Sequence, residues 1–281
     1  MNDYGKKMII SASRRTDIPA FHSGFFLEKV KEGAISVRNP MNHSQIRRVS
    51  LMPDDVECIV FWSKNPQPLL DRLDELNHFT YYFQFSLNPY DNDIEMRLPN
   101  KKTLIETFKK LSDLVNPKRI IWRYDPVLIN NKYTVSYHID MFSSMSRELR
   151  NYTNKVIFSF LDFYKKTEKR MIENNVREIT EEERHYLAKN FSEAALENKL
   201  EISTCAEIID LSVYGIKKAA CIDGSLIGDL IGQLRGNLQP YKKDKNQRAE
   251  CLCTVSVDIG EYNTCNNGCI YCYAGNSHNS I

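Results

Sequence analysis

The sequence predicts an α/β fold: a partial (βα)6 barrel of the TIM type with a C-terminal cysteine-rich cap. Two observations carry this prediction. Apolar runs of strand length alternate with amphipathic segments of helical period up to residue 205. Most of the cysteines lie beyond that point. Since strand–helix alternation is typical of a parallel sheet, we expect the barrel over residues 1–205 and the cap over residues 206–281, folded onto it.

Six strands alternate with helices in the predicted barrel. Thr103 with Glu106, and Thr180 with Glu183, have the spacing of a capping box, so each pair predicts the start of a helix. The predicted strands cover residues 8–13, 57–62, 79–86, 119–122, 155–160 and 200–204, with a short additional strand over 34–37.

The stretch Thr254 to Asp258 allows a second arrangement. If it were the first strand, the barrel would be circularly permuted, and Cys251 and Cys253 would lie at the opposite end of the barrel from Cys205. We favour the arrangement in which the C-terminal tail reaches the mouth of the barrel from outside, because six strands are present without it.

Composition limits the classes of function. The 281 residues have 42% hydrophobic content, and 38 basic against 36 acidic residues leave a net charge of +2, which indicates no dedicated polyanion partner. No apolar run has the length of a membrane span, and Met1 to Lys7 lack a signal-peptide core, so a cytoplasmic protein is expected. In a reducing compartment, eight cysteines indicate metal binding or catalysis rather than disulfides.

Three of these cysteines form a motif near the C-terminus. Cys265, Cys269 and Cys272 have the spacing C-x3-C-x2-C, and Gly268 allows the chain to turn between them. Such short spacers let three thiolates converge on one metal centre. A structural zinc site requires four ligands, whereas an iron–sulfur cluster with three protein ligands keeps one iron open.

This motif, with Tyr271 before its last cysteine, resembles the C-x3-C-x-aromatic-C signature of the radical S-adenosylmethionine (radical SAM) superfamily. The flanking Tyr-Cys-Tyr-Ala is similar to the branch that contains spore photoproduct lyase and DNA repair photolyase-like proteins. The chain is also similar to a bacterial family with a C-terminal cysteine block, domain of unknown function 1848. The motif stands near the C-terminus here, whereas the superfamily usually carries it near the N-terminus.

The resemblance implies a barrel of the radical SAM type and an oxygen-sensitive enzyme. Cys265, Cys269 and Cys272 would hold a 4Fe–4S cluster whose open iron chelates S-adenosylmethionine (SAM). Reductive cleavage of SAM would give a 5′-deoxyadenosyl radical that abstracts hydrogen from an unidentified substrate. The expected electron donor is a flavodoxin- or ferredoxin-type protein.

Four further cysteines are candidates for a second metal centre. Cys205, Cys221, Cys251 and Cys253 supply the number of thiols that closes a second 4Fe–4S cluster or a structural zinc site. Cys205 and Cys221 could instead be ordinary buried cysteines. Cys58 lies within an apolar strand, where core packing explains it.

Polar side chains follow several predicted strands and would meet at the mouth of the barrel, since barrel enzymes place their chemistry on the loops at the carboxyl ends of the strands. A guanidinium can bind the carboxylate of SAM or of a substrate. Tyr271 would contribute backbone polar groups and packing beside the adenine. The candidate cofactor-binding residues are Arg14, Arg15, Lys64, Asn65, Arg123, Asp125 and Tyr271.

Two other classes of function stay open: an iron–sulfur electron-transfer or sensor protein that does not cleave SAM, and a zinc-stapled binding module. For the radical enzyme, the substrate could be a small molecule, a peptide or DNA. The near-neutral charge argues against a large DNA footprint but is compatible with a base flipped into a small pocket.

Overall fold

Eight strands form one open, parallel sheet in the computed structural model, which describes residues 7–232 and 241–275. Residues 1–6, and residues 233–240 and 276–281 of the predicted cap, lie outside the described residues. The strands are β1 (Met8–Ala12), β2 (Ala34–Asn39), β3 (Asn42–Ser50), β4 (Val56–Ser63), β5 (Tyr81–Ser86), β6 (Ile120–Val127), β7 (Lys155–Phe160), β8 (Glu201–Cys205), β9 (Lys217–Ala219) and β10 (Val257–Asp258).

The order of strands in the sheet is β10-β1-β4-β5-β6-β7-β8-β9, and every neighbouring pair is parallel. The predicted partial (βα)6 barrel with a cysteine cap is therefore wrong. The edges β10 and β9 come from the C-terminal part of the chain, so these residues extend the sheet at both sides instead of forming a separate cap. The sheet is open and Rossmann-like in its layers. A domain boundary at residue 205 stays a prediction.

Helices connect the successive parallel strands. The three longest begin at side-chain caps: Asn100 accepts from the backbone of Thr103, Thr134 caps the next, and Thr180 forms the predicted capping box with Glu183. The expected capping box at Thr103 is wrong, because Asn100 starts that helix three residues earlier. The helices are α1 (Ile18–Phe21), α2 (Ser23–Glu32), α3 (Gln67–Leu70), α4 (Lys101–Val115), α5 (Val135–Leu149), α6 (Glu168–Glu173), α7 (Glu181–Glu197) and α8 (Gly224–Leu230).

Alternate side chains of the strands point to two different layers, as the two-residue period of a strand requires. On one face, Phe61 and Phe83 stack with ring centroids 4.9 Å apart and pack against the long helices. On the other face, Val60 and Tyr82 pack against the segment that carries Cys221, Cys251 and Cys253. The cysteine-bearing segment thus covers the face of the sheet that α2, α4, α5 and α7 leave free.

Strand β10 pairs with β1 in parallel, with Ile10 opposite Val257 and Ser11 opposite Asp258. The alternative in which Thr254 to Asp258 is the first strand of a permuted barrel is wrong, because the sheet is open; Val257 and Asp258 instead form an edge strand beside β1. The predicted separation of Cys251 and Cys253 from Cys205, at opposite ends of the strands, does not occur. The chain before β10 crosses the face of the sheet, where the Cys251 and Cys253 side chains pack, instead of extending beyond its amino edge.

Strands β2 and β3 form a separate antiparallel hairpin. Its second strand is almost wholly exposed and was not predicted. Among residues 7–232 and 241–275, none of the helices has the length and hydropathy that a membrane span requires.

Candidate active site

A cavity of about 530 Å³ opens where the parallel strands end at their carboxyl side. This edge of an open α/β sheet is where ligands generally bind. Residues at or just after the carboxyl ends of β1, β4, β6, β7 and β8 line the cavity, together with two C-terminal segments. Seven of the eight cysteines lie on its wall: Cys205, Cys221, Cys251, Cys253, Cys265, Cys269 and Cys272.

The eighth thiol, Cys58, is inside β4 and fully buried. Burial raises its pKa to about 12, so it stays protonated and packs as a small apolar side chain. The prediction of core packing is confirmed.

The C-x3-C-x2-C loop docks on the segment that follows β5. The backbone N–H of Ile270 donates to the carbonyl of Ile94 at 3.0 Å, and that of Arg97 donates to the carbonyl of Asn267 at 3.1 Å. Gly268 between them has φ +70°, a left-handed conformation that glycine adopts without strain. The loop is therefore fixed by backbone hydrogen bonds on both sides of Gly268.

Asp17 joins this loop to the ends of two strands. Its Oδ2 accepts from the backbone N–H of Lys64 at 2.8 Å and from the amide of Asn267 at 3.1 Å. Its Oδ1 caps α1 through the N–H of Ala20 at 3.1 Å. One buried carboxylate thus ties the chain after β1, the chain after β4 and the cysteine loop together.

A buried ionic network lies directly behind Cys269. The Glu95 carboxylate, 1% exposed, accepts from Lys64 at 2.8 Å, from Lys101 at 2.6 Å and from the Tyr271 hydroxyl at 2.5 Å. Burial alone would raise the pKa of Glu95, but the two ammonium groups lower it to about 2. The amide of Asn88 donates to the same carboxylate at 3.2 Å. Two lysines and one glutamate leave one positive charge beside the cysteine loop.

The motif thiols are shielded from water to different degrees. Burial raises the pKa of Cys265 to about 11, and it raises that of Cys269 further although the Lys64 ammonium acts against it. Cys269 also pairs with Glu95 through an isolated backbone bridge. Such thiols become metal ligands only with a cation at hand, because the ion stabilises the thiolate.

The other four cysteines form a second thiol group, which we call the four-cysteine site (Cys205, Cys221, Cys251 and Cys253). The sulfurs of Cys205 and Cys221 are 3.1 Å apart. The thiol of Cys253 accepts from the backbone N–H of Ile222 at 3.4 Å. Hydrogen bonds with the Cys221 and Cys251 thiols lower the pKa of Cys253 far below its usual range, so these side chains act as one coupled group.

Two arginines stand beside the four-cysteine site. The Nη1 of Arg123 donates to the Cys221 sulfur at 2.5 Å, and its Nη2 pairs with Asp125. The guanidinium groups of Arg14 and Arg123 each lie 5.6 Å from the ring centroid of Trp62. Burial acts to lower the pKa of Arg14, but the nearby groups of Cys253, Cys221, Asp258 and Cys251 together outweigh it and raise the value.

The donor chemistry of the cavity fits metal centres built on thiolates. Thiolates select iron–sulfur clusters and zinc among the common protein metals. Buried polar atoms around the four-cysteine site lack hydrogen-bond partners among the described residues, namely Arg14 Nη2, Arg123 Nε, Trp62 Nε1 and Gln84 Oε1. Within the same residues, no group of three or more His, Cys, Asp or Glu side chains converges on a single-ion position. The metal and SAM assignments therefore stay predictions.

Most of the predicted cofactor-binding residues reach the cavity. Asn65 does not, because its side chain accepts from Gln67 at the start of α3. Trp62, Glu95 and Asn267 were not predicted, because their roles come from contacts that the local sequence pattern does not show. The residues on the cavity wall are Arg14, Arg15, Lys64, Arg123, Asp125 and Tyr271.

The match to a family model decides the family. A model described as domain of unknown function (DUF1848) matches residues 9–274. The chain belongs to the DUF1848 family. The match includes both cysteine groups and, except for the first residue of β1, all ten strands, so the sheet and the cavity wall fall within the DUF1848 domain. No curated protein matches the chain.

Proposed function

We propose that this DUF1848 protein is a radical SAM enzyme in which Cys265, Cys269 and Cys272 hold a 4Fe–4S cluster. The observation that carries the proposal is the gathering of seven cysteines on one cavity at the carboxyl edge of a parallel sheet. Three of them come from one rigid loop, the ligand number that leaves an iron free for SAM. The resemblance of the C-x3-C-x-aromatic-C motif to the radical SAM signature supplies the link to this chemistry.

When bound, a reduced cluster and SAM supply a 5′-deoxyadenosyl radical that abstracts hydrogen from the substrate. The chain holds the reactants and excludes water. Lys64 and Arg15 are cations on the cavity wall that can bind the SAM carboxylate. Tyr271, held by Glu95, fixes the motif loop and packs beside the cofactor. The side chain of Asn65 accepts a hydrogen bond from the backbone N–H of Gln67. A cofactor role for Asn65 requires that this bond break and the side chain rotate towards the cavity.

The four-cysteine site is proposed to hold a second 4Fe–4S cluster, with zinc as the competing ion. Its four thiols suit a centre closed by protein ligands, which transfers electrons without binding SAM. A flavodoxin- or ferredoxin-type protein is the proposed reductant. The substrate class stays open among small molecules, peptides and DNA.

Formation of 5′-deoxyadenosine by anaerobically reconstituted protein tests the proposal. We expect the wild type to release it from SAM under a strong reductant, and Cys269→Ala to release none. Cys58→Ala is the matched control, because it removes a thiol that lies in the core of β4 and away from the cavity wall. Equal product from the wild type and from a variant without the three motif thiols contradicts the proposal.

Two other classes of function give different results in the same experiment. An electron-transfer or sensor protein carries iron and sulfide but releases no 5′-deoxyadenosine. A zinc-stapled binding module contains zinc and lacks the absorption near roughly 400 nm of an iron–sulfur protein.

A further inference from the structure

Arg14 and Arg123 are two of the arginines on the cavity wall near the four-cysteine site. Arg123 is 3% exposed and donates to the Cys221 sulfur at 2.5 Å. Arg14 lies on the same cavity wall as Cys221, Cys251 and Cys253, and its guanidinium carbon is 5.6 Å from the ring centroid of Trp62. Both cations therefore lie on the wall that carries these thiols, with Arg123 buried and Arg14 half-buried.

The two cations differ in how their charge is balanced. Arg123 forms an ion pair with Asp125, which also accepts from Ser159, so much of its charge is neutralised within the protein. Arg14 has an Nη2 that finds no hydrogen-bond partner in the part of the chain that the structure describes, and its flat face lies on Trp62. Arg14 is thus a cation without a matching carboxylate on its free nitrogen.

Arg14 is half-buried with a shielded Nη2, and such a cation favours a nearby anion, since leaving a buried donor unsatisfied is costly. Four thiolates around an iron–sulfur core are anionic, and the centre gains one further negative charge on reduction. A nearby positive charge stabilises the reduced form more than the oxidised form. Net charge and hydrogen bonds to sulfur are among the factors that set the potential of such clusters.

We propose that Arg14 and Arg123 are positioning residues that set the reduction potential of the four-cysteine site, with Arg14 as the cation whose Nη2 has no hydrogen-bonded partner among the described residues and Arg123 as the donor to the Cys221 sulfur. This inference rests on the proposed second cluster. It assigns these two arginines to that centre instead of to the SAM carboxylate. The electron comes from the external reductant, and no bond of the protein forms or breaks.

The test isolates the second centre by replacing Cys265, Cys269 and Cys272 with alanine in the full chain. After anaerobic reconstitution, we expect about four irons per chain to remain. A spectroelectrochemical titration then gives the midpoint potential of the remaining cluster. In this background Arg14→Gln is expected to disfavour reduction about tenfold, a shift of about 59 mV to lower potential for one electron. Arg14→Lys restores most of the shift because it keeps the charge.

Arg15→Gln is the matched control, since it removes the same charge from the neighbouring residue. The Arg15 guanidinium lies over Tyr262, 5.4 Å from the ring centroid, and its Nε is 4.0 Å from Asp258. We expect a shift several-fold smaller than that of Arg14→Gln. Arg123→Lys tests the second residue without leaving Asp125 unpaired, and it should also lower the potential because the bond to the Cys221 sulfur weakens.

The outcomes separate this inference from the function proposed above. If the Arg14→Gln protein retains its iron and has the same midpoint potential as the protein with both arginines, the role of the arginines is overturned. The second cluster is then still supported. Equal shifts for Arg14→Gln and Arg15→Gln also overturn it, since the effect is then one of net charge. A chain without iron, or with zinc alone, after loss of the motif thiols overturns the second cluster itself.

Discussion

Replacing Glu95 by glutamine removes the charge at the centre of the network behind Cys269 and keeps the shape of the side chain. Glu95 is almost fully buried and ion-paired with Lys64 and Lys101, at 2.8 and 2.6 Å. Its pKa of about 2 in the folded chain, against 4.5 without the fold, corresponds to about 3 kcal/mol of stability near neutral pH. Loss of one partner from a buried ion pair costs about the same, 3–5 kcal/mol.

We therefore expect Glu95→Gln to lower the free energy of unfolding by about 3 kcal/mol at pH 7, and the Tm by about 6–12 °C. The folded-state pKa of Glu95 lies below the unfolded value. Its contribution is thus present above pH 4.5 and is lost as the pH falls towards 2, where Glu95 is protonated. The difference in free energy of unfolding between Glu95→Gln and the wild type should therefore decrease as the pH falls over that range.

Urea unfolding of the full chain at pH 7 and at about pH 3.5 measures both effects. Glu148→Gln is the matched control. Its carboxylate is 2.7 Å from the Lys109 ammonium but is 52% exposed, so its loss should cost less than about 1 kcal/mol. A Glu95→Gln variant within about 1 kcal/mol of the wild type at pH 7 refutes the reasoning, because the network would then contribute no more than a surface pair.

Three further predictions concern the scaffold. A Cβ on Gly260 would lie 2.2 Å from the Ser13 hydroxyl, so Gly260→Ala should lower the free energy of unfolding in urea by about 1–3 kcal/mol. Gly275→Ala is the control and should be neutral, because its Cβ meets no atom within 4 Å. Equal effects of the two substitutions would contradict the clash. Thr180→Ala removes the capping box of α7 and should cost about 1 kcal/mol by the same measurement; no loss would show that the cap contributes nothing. Burial lowers the pKa of His138 to about 4, so its NMR signals should stay those of neutral imidazole at pH 6; a midpoint near 6.5 would contradict this.

Strands β4, β5 and β7 were predictable because each is a largely apolar run, as a strand buried on both faces requires. Strands β4, β5 and β7 lie within two residues of the predicted bounds. Whether the sheet closes into a barrel or stays open was not predictable. It depends on the edges, and the edge strands β9 and β10 have only three and two residues, too few to show a period.

The residues of the site were predictable where they belong to a cysteine motif or follow a predicted strand. Both cysteine groups reach the cavity wall, as do Arg14, Lys64 and Arg123. Glu95 gave no signal, because it lies in the irregular chain between β5 and α4 and acquires its role only from distant lysines. The division of the arginines between the two thiol groups likewise depends on contacts across the sheet, which spacing along the chain does not contain.

The iron and acid-labile sulfide content of anaerobically purified protein tests the central claim most directly. Two cysteine-bound clusters on one cavity predict about eight irons per chain in the wild type and about four after replacement of Cys265, Cys269 and Cys272. Zinc as the sole metal, or an iron content that the loss of those three thiols does not change, would contradict the account.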